Sequence, residues 1–326
     1  RTMPLRIGIL SAAHVHAPSF VACSQANPES EVVGLWDDDA ARGQAFADQR
    51  GIPFFADQGS LLQEVDSVVI CSENLKHASH IAAAAEADCH ILCEKPIAGR
   101  ESAIEEIRAA IAGKSKVFAT AFPCPHSPNF THLMGKLANQ EIGTLLSVCA
   151  TNQGTCPFGW FVDPSLSGGG AMIDHVVHVA DLLRRLLGED PVAVQAQIGN
   201  NHFGQNWEDT AMVTIEFASG RFATLDSSWS KPNGYRTWGN VALNLVGTKG
   251  VIEADLFVQG VGVTQENGLR LHGSGSNADQ LMVNDFVRAC LHGTAPTATF
   301  EDGIWASRVA LAAYRSVAQK GELAAV

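Results

Sequence analysis

The sequence predicts an α/β chain: a doubly wound parallel sheet, followed by an α+β part with a large, mainly antiparallel open sheet. Three observations predict it. Up to residue 122, short apolar runs alternate with helix-length segments, the order that builds a parallel sheet. Runs such as "SVVICS" (67–72) are almost wholly apolar, which suits strands covered on both faces. After Pro123, strands with alternating or aromatic-rich patterns dominate, separated by turn signals such as "ASGR" and "GTKG".

The elements follow in order. "LRIGIL" reads as a strand and "HAPSFVACSQA" as a helix; "EVVGLWD" is a strand, and "DDAARGQAFADQRG" a helix closed by Gly51. Then come the short helix "SLLQEV", the strand "DSVVICS", the helix "KHASHIAAAAEAD", the strand "CHILCEK", the helix "RESAIEEIRAAIAGK" and the strand "KVFATAF". The second part opens with the helix "NFTHLMGKLAN" and a helix from about Gly170 to Leu187. The strands "VAVQAQIG", "DTAMVTIEFA", "RFATLDSSWS", "NVALNLVGT" and "GVIEADL" follow, with closing helices at "ADQLMVNDFVRACLHG" and "GIWASRVALAAYRSVAQKG". The expected division is a Rossmann-type domain, 1–122, and an α+β domain, 123–326, whose closing helices can pack back on the first.

Composition narrows the function classes. With 46% hydrophobic and 17% charged residues, the 326-residue chain can bury a large core. Its net charge of −12 repels phosphate backbones, so no nucleic-acid partner is expected. No apolar run reaches the roughly 20 residues that span a bilayer, and no charged-then-apolar leader precedes "MPLRIGIL". The eight cysteines form no C-x-x-C pair, as in a reduced, cytoplasmic protein.

Several stretches carry candidate chemistry. The turn after the first strand occupies the place of a G-x-G-x-x-G fingerprint, but its glycine positions hold Ser11, Ala13 and His16. Asp37 ends the second strand, where an acidic side chain accepts bonds from an adenosine ribose. With Asp38 and Asp39 beside it, the local charge repels a 2′-phosphate and favours NAD over NADP. The same aspartates also suit a helix N-terminus. Lys95, in "CEKP" at a strand end, is placed to serve a crevice, although a strand-end lysine is commonly just a solvated charge. In "SGGGAMIDHVVHVADLLRRLLGE", Asp174 and His178 are four apart on one helical face and form a plausible acid–base pair; His175 points off that face. An ordinary helix with Asp181–Arg184 or Asp181–Arg185 pairs explains the same letters.

Taken together, the opening turn, E-K-P after a later strand and G-G-G-x-x-x-D-x-x-x-H-x-x-D resemble the glucose–fructose oxidoreductase/inositol dehydrogenase (Gfo/Idh/MocA) family. "EIGTL", "DTAMVTIEFASGRFATLDSSW", "GTKGVIEAD" and "EDGIWASRVALAAYRS" extend the resemblance over nearly the whole chain. It implies hydride transfer between a secondary hydroxyl, or ketone, of a sugar, inositol or related polyol and NAD. It implies that Lys95, Asp174 and His178 are catalytic: His178 takes the hydroxyl proton while Lys95 and Asp174 bind and polarise the oxygen. It places Ser11, Ala13, His14, Asp37, Ser72, Asn74, His77, Glu94 and Lys95 at the cofactor, and His126 and Trp160 with the catalytic three at the substrate.

The departures from the family pattern are expectations too. Side chains at Ser11 and Ala13 hinder the tight turn and the approach of backbone to pyrophosphate, while a helix start still receives phosphate. Glu73, in "SEN", adds a carboxylate near that phosphate, unfavourable unless paired. His14 is expected to donate a hydrogen bond beside the crevice and His16 to pack under the turn. The alternative of an H-x-H metal site is known after the first strand of eight-unit β/α folds, which the second half does not supply; no metal is expected. Trp229, Trp238 and Arg236 are assigned to packing or subunit contacts. The open sheet is expected to bury a face in a homodimer or homotetramer. Two other readings share the fold: a sensor binding nucleotide or sugar without chemistry, and an NAD-dependent glycosidase.

Overall fold

The computed structural model describes residues 3–235, 237–258, 260–265, 268–273 and 275–326. Arg236 therefore lies outside the described residues. In chain order the first elements are β1 (Leu5–Leu10), α1 (Ala17–Ala26), β2 (Ser30–Trp36), α2 (Ala40–Arg50), β3 (Phe54–Phe55), α3 (Gln58–Leu62), β4 (Ser67–Ile70), α4 (His77–Glu86), β5 (His90–Cys93), α5 (Glu101–Ile111) and β6 (Phe118–Thr120). There follow α6 (Pro128–Ala138), β7 (Leu145–Gln153), α7 (Pro164–Ser167), α8 (Ala171–Leu187), β8 (Pro191–Gly199), β9 (Thr210–Phe217) and β10 (Phe222–Ser228). The chain closes with β11 (Ala242–Gly247), β12 (Val251–Asp255), β13 (Gly260–Gln265), β14 (Gly268–Gly273), α9 (Ala278–His292), α10 (Phe300–Ala318) and β15 (Ala324–Ala325).

The chain forms two compact units. The first holds Arg1–Pro123, Gly159–Gly168 and Asp279–Ser307; the second holds Cys124–Phe158, Gly169–Ala278 and Arg308–Val326. In the first unit six parallel strands lie in the order β3-β2-β1-β4-β5-β6, the Rossmann order. The apolar runs become strands because both faces are covered. Ile7, Ile9, Leu35, Val69 and Leu92 share a core with Phe20 of α1 and with Met282, Phe286 and Val287 of α9. Local chemistry sets the helix ends. Asp39 caps α2 by accepting the Arg42 N–H at 3.0 Å, and Gly51 ends it at φ 64°, in the left-handed region that favours glycine.

In the second unit seven strands lie in the order β12-β11-β7-β10-β9-β8-β15. Every pairing is antiparallel except β7 with β10, so the sheet is mixed. Strand β7 went unread in the sequence. Its outward residues Ser147, Cys149 and Thr151 and inward Ala150 and Asn152 are small or polar, which blunts the apolar alternation. Inward Val148, Val213, Ile215 and Leu225 are buried, while Met212 and Phe222 stay exposed on the opposite side. Two-residue strands β3 and β15 are too short to leave a pattern. Among the described residues no helix is long and apolar enough to cross a membrane.

Candidate active site

The turn after β1 keeps a dinucleotide geometry without glycine. Ser11 sits at φ 72°, the left-handed conformation that the first glycine of a fingerprint usually supplies. Hydrogen bonds hold it there: its N–H donates to the Trp36 carbonyl at 2.7 Å, and its Oγ accepts the Ala13 N–H at 3.2 Å. With the Rossmann strand order and a helix starting at Ala17, these residues fit a dinucleotide, since side chains as small as Ser11 and Ala13 weaken or displace the approach of backbone to pyrophosphate rather than exclude it.

Asp37 ends β2 as expected, but it does not present a free carboxylate. Only 3% exposed, it accepts the Ala12 N–H at 2.7 Å, the Asp39 N–H at 2.9 Å, and Arg42 through Nε at 2.9 Å and a terminal nitrogen at 2.6 Å. A carboxylate has about four acceptor sites, so ribose hydroxyls reach Asp37 only where Arg42 moves aside. Arg42 was missed in the sequence; its place in the first turn of α2, five residues after Asp37, was the available signal. It also meets Glu73 at 3.2 Å, and Lys76 meets Glu73 at 3.0 Å and Asp38 at 2.5 Å. Glu73 is thereby paired. Burial pushes its pKa up, but the hydrogen bonds to its own backbone and to Lys76, with the two cations, hold it below the usual carboxylate range.

Around the β4 and β5 ends, the expected cofactor residues form a buried scaffold. The Ser72 hydroxyl bonds His80 Nδ1 at 2.9 Å, and Asn74 donates to the Ser167 carbonyl at 2.8 Å. His77 is fully buried, with its ring nitrogens 2.8 Å from the Pro96 carbonyl and 3.1 Å from that of Ser72. That burial makes His77 a brace for both turns rather than a surface contact. Lys95 is buried at the end of β5, and the Lys95–Pro96 bond is cis.

His16 does not pack under the turn. Its side chain is 41% exposed, and Nδ1 lies 2.8 Å from Glu94 Oε1, because a buried carboxylate recruits the nearest donor. His14 turns inward, buried, with its ring centroid 5.2 Å from Phe161 and 5.8 Å from Trp160. Trp160 stacks on Phe161 at 3.9 Å and donates Nε1–H to the Ala13 carbonyl at 2.9 Å, which places it on the β1 turn.

The second unit carries the rest. Helix α8 ends at Gly188 and buries nearly all its length, including Asp174 and His178 one turn apart. The preceding glycines have steric reasons: a Cβ on Gly170 would collide with the Glu208 carbonyl, and one on Gly169 with the Tyr314 hydroxyl. Trp229, fully buried, donates Nε1–H to Asp174 Oδ2 at 3.0 Å, so it does more than pack. His175 also departs from its expected direction. Its ring folds back so that Nε2 lies 3.2 Å from Asp174 Oδ2, while Nδ1 lies 2.8 Å from the Asn152 carbonyl. Adjacent residues on a helix diverge at Cβ, but the long imidazole arm and the β7 carbonyl bring it around. Trp238, partly exposed, meets the His175 ring edge-on at 5.2 Å. Asp181 pairs with Arg185 at 2.9 Å, and His126 is half-buried in the turn before α6. Lys95 and Trp160 thus belong to the first unit, and His126, Asp174 and His178 to the second.

Comparison with known proteins places this geometry. Residues 5–122 match the oxidoreductase family with NAD-binding Rossmann fold, and residues 130–253 match the GFO/IDH/MocA C-terminal domain. An inositol 2-dehydrogenase of Rhizobium meliloti is 27% identical over 339 residues, covering 98% of this chain and 99% of its own. A 1,5-anhydro-D-fructose reductase of Ensifer adhaerens is 27% identical, covering 96% of each. The crystal structure of GenD2 from gentamicin A biosynthesis, in complex with NAD, superposes with a TM-score of 0.90 at 25% identity, over 100% of this chain and 97% of that one. An NAD-binding Rossmann unit, a mixed open sheet and matches along most of the chain lead to one conclusion: this chain belongs to the Gfo/Idh/MocA family of NAD(P)-dependent oxidoreductases.

Proposed function

We propose that the protein moves a hydride between a secondary hydroxyl, or the corresponding ketone, of a sugar, inositol or related polyol and NAD. The observation that carries this reading is the fixed carboxylate of Asp174, which accepts the Trp229 indole N–H one turn from His178 on a buried helix. The substrate classes named for the family relatives point the same way. In this reading His178 takes the hydroxyl proton, Asp174 orients that hydroxyl, and the Lys95 ammonium stabilises the developing alkoxide. NAD, when bound, supplies the hydride acceptor. Residues 1–122 hold the coenzyme, with Ser11, Ala13, His14, Ser72, Asn74 and Glu94 around it, while Arg42 screens Asp37. Three clustered aspartates favour NAD over NADP, although Arg42 and Lys76 offset part of their charge. Residues 123–326 bind substrate and pair the open sheet face, with Met212 and Phe222, against a second copy in a cytoplasmic homodimer or homotetramer.

The test is turnover. Purified protein with NAD is screened against inositols, sugars and keto-sugars by nicotinamide absorbance, beside Lys95→Ala and His178→Ala. Turnover on one substrate class, lost by about 100-fold or more in both folded variants, supports the proposal. Firm NAD binding with no turnover on any polyol, and variants identical to the parent, would overturn it in favour of a sensor.

A further inference from the structure

Two histidines, His14 and His16, stand in the opening turn, and the first unit brings a third polar group to them. Glu94, from the end of β5, lies against both. One donor atom from each of His14, His16 and Glu94 lies within 4.8 Å of the others. Glu94 Oε1 is 2.8 Å from His16 Nδ1 and 3.4 Å from His14 Nδ1. The second of these contacts is chemically revealing. His14 Nδ1 accepts the His16 backbone N–H at 3.2 Å, so that nitrogen presents a lone pair. A nitrogen and a carboxylate oxygen 3.4 Å apart are held together best by a shared cation, either a proton or a metal ion that takes the nitrogen lone pair over from the backbone N–H. The carboxylate itself is 1% exposed, and a buried charge demands a partner.

We propose that His14, His16 and Glu94 form a binding site for a divalent first-row transition cation of the zinc class. Two imidazoles and one carboxylate are a borderline-soft donor set that suits such an ion and disfavours magnesium or calcium, which take oxygen ligands. The surroundings favour it as well. The Trp160–Phe161 stack gives His14 an apolar wall, and the His14 main-chain N–H is tied to the Cys71 carbonyl at 2.9 Å, which fixes the turn. The partly exposed edge of His16 leaves an entry path and room for a water or an anionic oxygen as fourth ligand. The cation replaces the proton shared by His16 and Glu94, which leaves to solvent. Lys95, next along the chain and electrostatically felt by both groups, opposes a second positive charge and weakens the site. This site goes beyond the hydride reading and does not depend on it.

The test uses the full chain, freed of metal by chelator dialysis, titrated with Co(II) and followed by visible ligand-field bands and by bound metal after desalting. The expected result is about one Co(II) per chain with absorption bands of a low-coordinate site, displaced by Zn(II). His16→Ala, on a partly exposed side chain, and Glu94→Gln weaken binding by about tenfold or more. Lys95→Met tightens it by several-fold, an effect that loose surface binding does not show, and His202→Ala, at an exposed histidine elsewhere, changes nothing. Absence of the bands, or equal binding by the parent and a folded His16→Ala variant, overturns the site. If Glu94→Gln unfolds, Glu94→Asp and His16→Ala carry the comparison. The titration needs no substrate or NAD, so its failure and a failure of the hydride reading are separately visible.

Discussion

His80 offers a quantitative test of how the turn at Ser72 is held. It sits on α4, buried, edge-on to Trp36 at 5.5 Å, with Nδ1 on the Ser72 hydroxyl. Burial, with a smaller contribution from neighbouring His77, pushes its pKa down to about 4. In the unfolded chain a histidine titrates near 6.5. The unfolded state therefore takes up this proton first, and stability is lost as pH falls from about 6.5 toward 4. At pH 5 the linkage integral for these two values is about 2 kcal/mol, against about 0.2 kcal/mol at pH 7. His80→Gln keeps a polar group for Ser72 but removes the titration. Urea unfolding from pH 7 to 5 should cost the parent roughly 1–3 kcal/mol more than the variant. Parallel stability profiles for parent and variant would refute the argument, because the other buried groups are common to both.

Three further outcomes follow from the same contacts. Arg42→Leu should lower stability at pH 7 by about 1–3 kcal/mol, less than a fully buried pair because Arg42 is partly exposed. Since Glu73 is held below the usual carboxylate range, its share is present above about pH 4.3 and is lost on acidification, so the gap between parent and variant, read by denaturant unfolding, should narrow in acid. Trp229→Phe removes the donor to Asp174 while keeping an aromatic ring; steady-state kinetics should show kcat reduced by about 10–100-fold, and the lost hydrogen bond and volume at this fully buried site should lower stability by about 1–3 kcal/mol, read by thermal melting. Gly170→Ala forces a methyl group into the Glu208 carbonyl and should lower stability by about 1–3 kcal/mol or prevent folding, read by thermal melting.

What the sequence determined by itself is whatever local pattern and composition encode. Apolar runs and helix-length intervals specified the parallel sheet, Gly51 specified the end of α2, and the spacing of Asp174 and His178 placed them one turn apart. Strand β7 escaped because a central strand of small and polar residues owes its place to neighbours on both sides rather than to its own alternation. Tertiary structure alone decided the polar partners. Arg42 closes over Asp37 and Glu73. His175 curls back to Asp174, and Trp229, 55 residues away, joins it. Glu94 meets two histidines that precede it by 78 and 80 residues. Periodicity states which face a side chain leaves from, but a buried charge takes whichever partner the packed chain brings within hydrogen-bond reach, and that partner is set by long-range contacts.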